Sequence, residues 1–190
     1  MDKITIHSPI GNITLIGEDG FIVRICFDDA FTDAKNSDNF VTNSPTSCNE
    51  PACSCEIQGD YKAYMIKAAE EITAYFNREI KQFTFPVKMT VPPFSQRVYE
   101  CLKTVPYGKT VTYKELGVMA GMNKGFRAIG QVMKRNPLPI VYPCHRVVSL
   151  SSIGGFSGGL DIKRFLLALE GNAEFSVKQG VSLSNRNKTS

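Results

Sequence analysis

The segment Ile140-Val-Tyr-Pro-Cys-His-Arg-Val-Val148 places a cysteine and a histidine side by side, directly after an apolar run that ends in a proline. Pro143 has no backbone N–H and a fixed φ, so it ends strand pairing and turns the chain. We therefore predict that Cys144 and His145 lie at a bend. There a neighbouring imidazole, or a base reached through a water, can raise the small thiolate fraction of a cysteine. Taken alone, the pair fits better a buried small side chain beside a satisfied polar one.

The residues after this segment predict a glycine-rich loop and a helix. Gly154-Gly-Phe-Ser-Gly-Gly159 has four glycines in six residues. Such a loop permits positive φ and close approach of a flat ligand to backbone N–H groups, although a plain flexible loop has the same composition. Asp161 is expected to cap the helix that follows. Glu170, in its last turn, opposes the helix dipole, which fits either an exposed carboxylate or a partner for an imidazole.

The residues before the segment predict two short helices joined by a glycine-containing turn. Thr112-Tyr-Lys-Glu115 has the capping-box pattern, so a first helix is expected over 113–120. Asn123 is expected to cap a second helix over 124–135. This arrangement fits a helix-turn-helix, and an ordinary helical hairpin is the alternative. DNA binding is favoured by the basic side chains predicted on the second helix, which are Lys124, Arg127, Lys134 and Arg135.

The first half of the chain predicts a small antiparallel sheet with one covering helix. Alternating apolar and polar residues indicate strands at 3–8, 12–16 and 21–27. An amphipathic helix over 61–78 is the expected cover. Its apolar stripe comprises Met65, Ala68, Ala69, Ile72, Tyr75 and Phe76. Residues 28–59 show no period and predict a long flexible loop.

The predicted fold is therefore α+β, in two domains. Residues 1–91 form the small N-terminal antiparallel sheet plus helix, and residues 92–171 form a mainly helical domain that contains the helix-turn-helix. Residues 172–190 are polar and weakly patterned, and they predict a tail.

Charge is distributed unevenly along the chain. Residues 1–85 carry 7 Lys and Arg against 13 Asp and Glu, whereas residues 86–190 carry 15 against 5, within a net charge of +4. A basic second half suits a polyanionic partner, although a merely solvated basic face has the same sign. No apolar run is long enough to span a bilayer and no signal peptide is evident. We therefore expect no membrane partner and an intracellular location, cytoplasmic in a prokaryote or nuclear in a eukaryote.

The other cysteines follow no metal-binding pattern. Cys26 and Cys101 lie in apolar surroundings and are expected in the core. Cys48, Cys53 and Cys55 have spacings that match no zinc motif, and no histidine is near them. We predict neither a metal nor a cofactor.

Seven motifs across residues 92–171 together resemble the O6-alkylguanine-DNA alkyltransferase family, which repairs alkylated guanine. They are Pro93-Phe-Ser-Gln-Arg-Val98, Val105-Pro-Tyr-Gly-Lys-Thr-Val-Thr-Tyr113, Arg127-Ala-Ile-Gly130, Asn136-Pro137, Pro143-Cys-His-Arg-Val-Val148, Ser157-Gly-Gly159 and the run from Lys163 to Gly171. Any one would be weak evidence, but seven in the family's order and spacing are specific. The N-terminal half is similar only in the order of its strands and helix, which implies a ribonuclease-H-like domain.

The resemblance implies a mechanism of direct repair in duplex DNA. Cys144 would accept the alkyl group from O6-alkylguanine, and from O4-alkylthymine, as an irreversible thioether, so the protein would be consumed. His145 would deprotonate Cys144 through a water, and Glu170 would stabilise the imidazolium. Tyr113 would protonate the departing guanine, and Asn136 would hold the active-site turn by hydrogen bonding.

The resemblance also implies how a monomer would reach the lesion. The nucleotide would be flipped out of the duplex, Arg127 would fill the vacated stack, and the second helix would enter the minor groove. The implied DNA-contacting residues are Tyr113, Lys124, Arg127, Ala128, Gly130 and Arg135. The implied pocket for the extruded base is lined by Met133, Val147, Val148, Phe156, Ser157 and Gly158.

Two positions depart from the family's pattern. Phe156 stands where many members have tyrosine, and Tyr142 stands where an aliphatic residue is usual, which bears on tolerance for bulky alkyl groups. One alternative function is a non-catalytic alkylguanine-binding module that flags lesions, although such relatives lack the acceptor cysteine. A Cys-His hydrolase would need an oxyanion site. A transcription factor would leave the Cys-His pair unexplained.

Overall fold

The structure, a computed structural model, describes residues 1–27 and 62–172. Three strands and one helix come first, and four helices with two short strands follow. The predicted flexible loop over 28–59, with Cys48, Cys53 and Cys55, lies outside the described residues. So does almost all of the predicted tail.

The N-terminal sheet is antiparallel, in the order β1-β2-β3. Its strands are β1 (Asp2–Ser8), β2 (Gly11–Glu18) and β3 (Phe21–Phe27). Asp19 and Gly20 join β2 to β3 with φ of 52° and 83°, as a two-residue hairpin loop requires. Strand alternation turns one face inward, and a register shift between β2 and β3 brings both Ile22 and Ile25 onto that face. The core residues on it are Ile4, Ile6, Ile13, Leu15, Ile22 and Ile25. The predicted sheet is confirmed.

Helix α1 (Ala63–Phe76) covers the inner face of the sheet, and every residue of its predicted apolar stripe is buried. Gly17 lets the helix approach closely, because a Cβ there would overlap Sδ of Met65. After α1 the chain returns along β3, where Ile22 donates a hydrogen bond to the Pro86 carbonyl at 2.9 Å and accepts one from the Lys88 amide at 3.0 Å. The segment that connects α1 to the second half of the chain is therefore anchored to the N-terminal sheet.

The second half of the chain is mainly helical, as predicted. Its elements are α2 (Pro93–Lys103), β4 (Val111–Thr112), α3 (Tyr113–Met119), α4 (Arg127–Lys134), β5 (Val147–Val148) and α5 (Leu160–Leu169). Strands β4 and β5 pair in parallel and bring α3 beside the Cys-His segment. Cys101 in α2 and Cys26 in β3 are half-buried rather than in the core. No helix within residues 1–27 and 62–172 is long and apolar enough to cross a membrane.

The helix-turn-helix is formed by α3 and α4. The capping box is confirmed, since Oγ1 of Thr112 accepts from the Glu115 amide at 3.1 Å and Oε2 of Glu115 accepts from the Thr112 amide at 2.7 Å. However, α4 begins three residues later than predicted and Asn123 does not cap it. Gly125, with φ of 78°, interrupts the helical backbone, and Phe126 occupies the cap position with no side-chain hydrogen bond.

Two consequences for predicted residues follow from these boundaries. Lys124 precedes α4 and Arg135 follows it, so neither is on the helix proper. The prediction that Asp161 caps α5 was also wrong: the helix begins at Leu160, and Gly159 is its cap residue with φ of 93°. An L-residue rarely adopts this φ, so glycine rather than a side-chain cap sets the start of α5.

The two halves pack against each other directly. The Ile25 amide in β3 donates to the Pro137 carbonyl at 2.9 Å, just after α4. Phe76, at the end of α1, packs against Phe165 of α5 with ring centroids 6.5 Å apart. The second contact places the end of α1 against the middle of α5, the helix directly followed by Glu170.

Candidate active site

The segment from Pro143 to Arg146 forms a single 3-10 turn that leads into β5. The Arg146 amide donates to the Pro143 carbonyl at 2.9 Å, and the Cys144 amide donates to the Tyr142 carbonyl at 2.7 Å. Ile140, just upstream, has φ of 73°, which is rare for a β-branched residue and persists only where the surroundings impose it. The predicted bend is confirmed, and Cys144 is 3% exposed.

Asn136 holds both the turn and the cysteine. Its Nδ2 donates to the Tyr142 carbonyl at 2.8 Å and to Sγ of Cys144 at 3.1 Å. Burial raises the pKa of Cys144 to about 11, against the Asn136 hydrogen bond and the positive charge of Lys163. The resting side chain is therefore a neutral thiol with a donor already directed at its sulfur.

His145 and Glu170 form a fully buried pair, with Nε2 of the imidazole 2.9 Å from Oε1 of the carboxylate. Burial disfavours the ionised carboxyl, but the hydrogen bonds from His145 and Arg146 and the charge of Arg146 hold the pKa of Glu170 well below its usual range. A carboxylate only accepts, so Nε2 carries the proton. Burial lowers the pKa of His145 despite the hydrogen bond that Nε2 donates to Glu170, so the imidazole is neutral at pH 7.

The other ring nitrogen of His145 is the acceptor of this tautomer. Nδ1 is buried and hydrogen-bonds to no group in the described part of the chain. Buried polar atoms nearly always have a partner, ordered water included. Of the two ring nitrogens of His145, Nδ1 is thus the one that is free to accept a proton.

Arg146 is a buried basic residue of the site that sequence analysis left unassigned. Its Nε lies 2.9 Å from Oε2 of Glu170 and its Nη2 lies 2.8 Å from Oε1, while Nη1 donates to the Val105 carbonyl at 2.7 Å. The Gly108 amide adds a further contact to the carboxylate, at 3.1 Å from Oε2. Glu170 is therefore the buried partner of an imidazole rather than an exposed carboxylate. The available signal was an arginine within an apolar run, which requires a buried anion.

Lys163 is a second such residue. Its side chain is buried in α5, and Nζ donates to the Val147 carbonyl at 2.6 Å and to the Gly155 carbonyl at 3.1 Å. Burial lowers its pKa to about 8. Lys163 therefore ties β5 to the glycine-rich loop and places a cation near Cys144. Its sequence signal was the seven-residue spacing to Glu170, which puts both residues on one face of α5.

A cavity of about 380 Å³ has Cys144 in its wall. Its lining residues are Tyr113, Gly130, Met133, Lys134, Cys144, Gly155, Phe156 and Ser157. Of the residues implied for the base pocket, the lining includes Met133, Phe156 and Ser157. Val147 and Val148 are instead buried in β5, and Gly158 packs so close to Phe27 that a Cβ would lie 2.7 Å from its ring. The volume suits one flat heterocycle rather than an extended ligand.

Tyr113 stands at the start of α3 and forms part of the cavity wall. Its hydroxyl donates to the Gly155 carbonyl across a long 3.4 Å contact. Burial raises the pKa of the phenol. Tyr113 is therefore a protonated donor beside Cys144, weakly engaged and able to turn to another acceptor.

A basic surface borders this cavity. Its exposed cations are Lys124, Arg127, Lys134 and Arg135, and the implied contacts Ala128 and Gly130 lie between them, partly buried. Gly130 and Lys134 also line the cavity, so the basic surface and the cavity are contiguous. Within residues 1–27 and 62–172, no group of three or more His, Cys, Asp or Glu side chains could hold a metal ion.

Together, the fold and the site define a class of protein in which a helix-turn-helix carries a buried cysteine beside a histidine–glutamate pair. The model of the 6-O-methylguanine DNA methyltransferase ribonuclease-like domain matches residues 1–89, and the model of the DNA-binding domain of the same methyltransferase matches residues 93–172. The chain belongs to the 6-O-methylguanine DNA methyltransferase family, and it is an enzyme of the methylated-DNA–protein-cysteine methyltransferase class.

Individual relatives agree with this assignment. The methylated-DNA–protein-cysteine methyltransferase of Methanosarcina acetivorans is 33% identical over 167 residues, covering 87% of this chain and 96% of that protein. The Methanosarcina barkeri enzyme of the same name is 40% identical over 121 residues, covering 62% and 77%. Among solved structures, Mycobacterium tuberculosis OGT in complex with DNA superposes with a TM-score of 0.68 at 28% identity, covering 89% of this chain and 92% of that one.

Proposed function

We propose that this protein repairs duplex DNA by moving the alkyl group of O6-alkylguanine, and of O4-alkylthymine, onto Cys144 in a single, stoichiometric step. The observation that carries the proposal is the position of Cys144, in the wall of a base-sized cavity and next to the His145–Glu170 pair. One bond forms, between Sγ and the alkyl carbon, and one breaks, between that carbon and guanine O6. The thioether is a poor leaving group, so the cysteine is not regenerated.

The thiol proton leaves through His145. Because the pKa of Cys144 is raised by burial, the resting thiol needs a base at the moment of attack. Nδ1 of the neutral His145 is the free acceptor, and a bridging water would carry the proton to it from Sγ. Glu170, ionised and fixed by its donors, then stabilises the imidazolium. Asn136 stabilises the developing thiolate through its 3.1 Å contact with Sγ.

The departing guanine takes its proton from Tyr113. The phenol lies in the same cavity wall as Cys144, and its raised pKa keeps it protonated until the guanine anion develops. Its 3.4 Å contact with the Gly155 carbonyl is weak enough to exchange for the leaving group. The imidazolium and the tyrosinate left by the reaction neutralise each other through solvent once the base departs.

Entry to the cavity requires the alkylated nucleotide to leave the duplex. Base extrusion costs a few kcal/mol, and a side chain inserted into the stack offsets it. Arg127 is exposed at the start of α4, while Gly130 of the same helix lines the cavity. We infer that Arg127 enters the stack as α4 lies in the minor groove, with Lys124 and Arg135 on the phosphates. The protein acts as a monomer, since one chain holds every group that the reaction needs.

Stoichiometry tests this proposal directly. A fixed amount of protein is titrated with increasing duplex containing one O6-methylguanine, and repaired base is counted at completion. We expect a plateau of one repaired base per protein, unchanged by longer incubation. Repair beyond that ratio would indicate a turnover enzyme, and tight lesion-selective binding without repair would indicate a binding module.

The rate of transfer should depend on pH through His145. Burial lowers the pKa of His145, so the imidazole remains a base across neutral pH and is lost only as pH falls below the ordinary histidine value of about 6.5. We expect single-turnover rates to be nearly level from about pH 8 to pH 6.5 and to fall in more acidic buffer. A rate that rises tenfold per pH unit across the neutral range would contradict this, because it would mean that bulk hydroxide rather than His145 deprotonates Cys144.

Replacement of Arg127 should slow repair of duplex DNA selectively. Arg127→Ala removes the side chain that stabilises the vacated stack, and we expect roughly tenfold slower single-turnover transfer from a duplex. A single-stranded oligonucleotide with the same lesion is the matched control, because no base pair has to open. An equal loss on both substrates would show that Arg127 supports the site in another way.

A further inference from the structure

Tyr75 connects the first half of the chain to the proton relay of the second. It lies in the last turn of α1 and is completely buried. Its hydroxyl donates to Oε1 of Glu170 at 2.8 Å, although 95 residues separate the two in sequence. This oxygen is the one that also accepts from Nε2 of His145. A side chain of the N-terminal sheet-and-helix half therefore touches the same carboxylate oxygen as the imidazole.

The phenol is held where it can do this. Its ring packs edge-on against Phe76 and Tyr107, with centroids 5.5 Å and 6.2 Å away, and tilted against Phe83 at 5.5 Å. Burial and the neighbouring carboxylate raise the pKa of Tyr75 well above its ordinary value. The hydroxyl thus stays a fixed, permanent donor, because the ring cannot leave its aromatic cage and the proton does not dissociate.

We propose that Tyr75 is a positioning residue for alkyl transfer: it holds the Glu170 carboxylate in place and limits how strongly Oε1 attracts the His145 proton. Oε1 accepts hydrogen bonds from three donors, which are the Tyr75 hydroxyl, Nε2 of His145 and Nη2 of Arg146. With three donors, the carboxylate fixes the imidazole without converting it to imidazolium in the resting state. His145 then remains the neutral base that the mechanism requires, and this inference rests on the function proposed above.

Removal of the hydroxyl should alter both the rate and its pH dependence. In Tyr75→Phe, Oε1 has one donor fewer and interacts more strongly with Nε2, which raises the pKa of His145. A larger fraction of the imidazole is then protonated at pH 7, and the carboxylate is less well fixed. We expect roughly tenfold slower single-turnover transfer at pH 7, with the acid limb of the rate profile moved to higher pH. The difference in transfer rate between Tyr75→Phe and wild type should become smaller as the pH rises.

Tyr75→Phe replaces none of the other ionisable groups around the His145–Glu170 pair. They are Arg146 and Cys144 of the 3-10 turn, Lys163 of α5 and Tyr107 before β4. The charges of Arg146 and Lys163 lower the pKa of His145 in both proteins. A shift of the acid limb between the two pH–rate profiles therefore reports the loss of the Tyr75 hydroxyl.

Tyr99→Phe is the matched control. Tyr99 is also a buried tyrosine, but its hydroxyl donates to the Val132 carbonyl at 2.7 Å rather than to Glu170. The control variant should lose a hydrogen bond of similar burial yet keep the wild-type pH profile. Thermal unfolding of both variants shows whether they remain folded at the assay temperature. A uniform rate loss at every pH in Tyr75→Phe would make the residue merely structural and overturn the proposal.

A double-mutant cycle separates the positioning role from general damage. His145→Gln retains an amide donor toward Glu170 but supplies no base, so Tyr75→Phe should cause no further loss in that background. A further tenfold loss there would overturn the proposal, because Tyr75 would be acting independently of His145. Transfer by the wild-type protein tests the proposed function separately. If the wild type transfers no alkyl group, the proposed function fails. If it does transfer and Tyr75→Phe matches it at all pH values, only the present inference fails.

Discussion

Cys144→Ser is expected to abolish alkyl transfer and to leave binding of the lesion duplex unchanged. The serine hydroxyl occupies nearly the same space and can still accept the hydrogen bond that Asn136 now donates to Sγ at 3.1 Å. A hydroxyl, however, is a far weaker nucleophile than a thiol and does not ionise near neutral pH, even beside a neutral imidazole. Single-turnover transfer and a binding titration with the same O6-methylguanine duplex measure the two properties separately.

Cys101→Ser provides the control for this substitution. Cys101 is half-buried, and its Sγ donates to the Met119 carbonyl at 3.3 Å, a contact that serine can also make. We expect wild-type transfer from this variant. Residual repair in Cys144→Ser together with a loss in Cys101→Ser would mean that the acceptor had been assigned to the wrong thiol.

Arg146→Met is expected to destabilise the folded protein by about 3–5 kcal/mol, the usual cost of leaving one member of a buried ion pair without its partner. The two-point contact with Glu170 disappears, and the Val105 carbonyl loses its donor as well. Methionine preserves most of the volume, so the lost interactions rather than a cavity dominate. Urea denaturation at pH 7 measures the difference in free energy of unfolding.

The pH dependence of this difference has a defined sign. In the wild type the pKa of Glu170 is held well below its usual range, so its contribution to stability is present at neutral pH and lost in strong acid. In Arg146→Met the unpaired carboxylate is most costly where it is ionised. The two proteins should therefore become more alike only as the pH falls below 4.5, the ordinary pKa value for this carboxyl, and into strong acid.

Arg164→Met is the matched control for this experiment. Arg164 is in the same half of the chain but pairs with Asp161 at the surface, with side-chain exposures of 41% and 76%. We expect a change of at most about 0.5 kcal/mol. If both arginine variants lost stability equally, the buried Arg146–Glu170 pair would have no special role in holding the site together.

Local patterns in the sequence were sufficient for most of the architecture. Period-two alternation identified three strands, and a helical stripe identified α1, because burial of one face imposes the same periodicity on sequence and structure. The capping box located the start of α3 for a similar reason, since both of its hydrogen bonds lie within four residues. Where the prediction failed, at the starts of α4 and α5, a glycine with positive φ overrode the nearby polar side chain.

The residues of the candidate site were likewise predictable from the sequence only in part. Cys144 and His145 are adjacent, so their sequence context alone raised the possibility of a nucleophile and base. Glu170 is 25 residues from His145, and its position was ambiguous until packing placed it in the interior. Tyr75 could not be connected to the site from the sequence, because its contact depends on how the two halves of the chain dock. A buried tyrosine in an apolar stripe otherwise reads as ordinary core.

The most direct test of the central claim is a mass measurement on the wild-type protein after incubation with a duplex that contains one O6-methylguanine. We predict a gain of one methyl group per protein, located by peptide mapping on the fragment that contains Cys144 and absent from Cys144→Ser treated in parallel. A methyl group on any other residue would contradict the assignment of the acceptor. An unchanged mass with tight, lesion-selective binding would contradict transfer altogether.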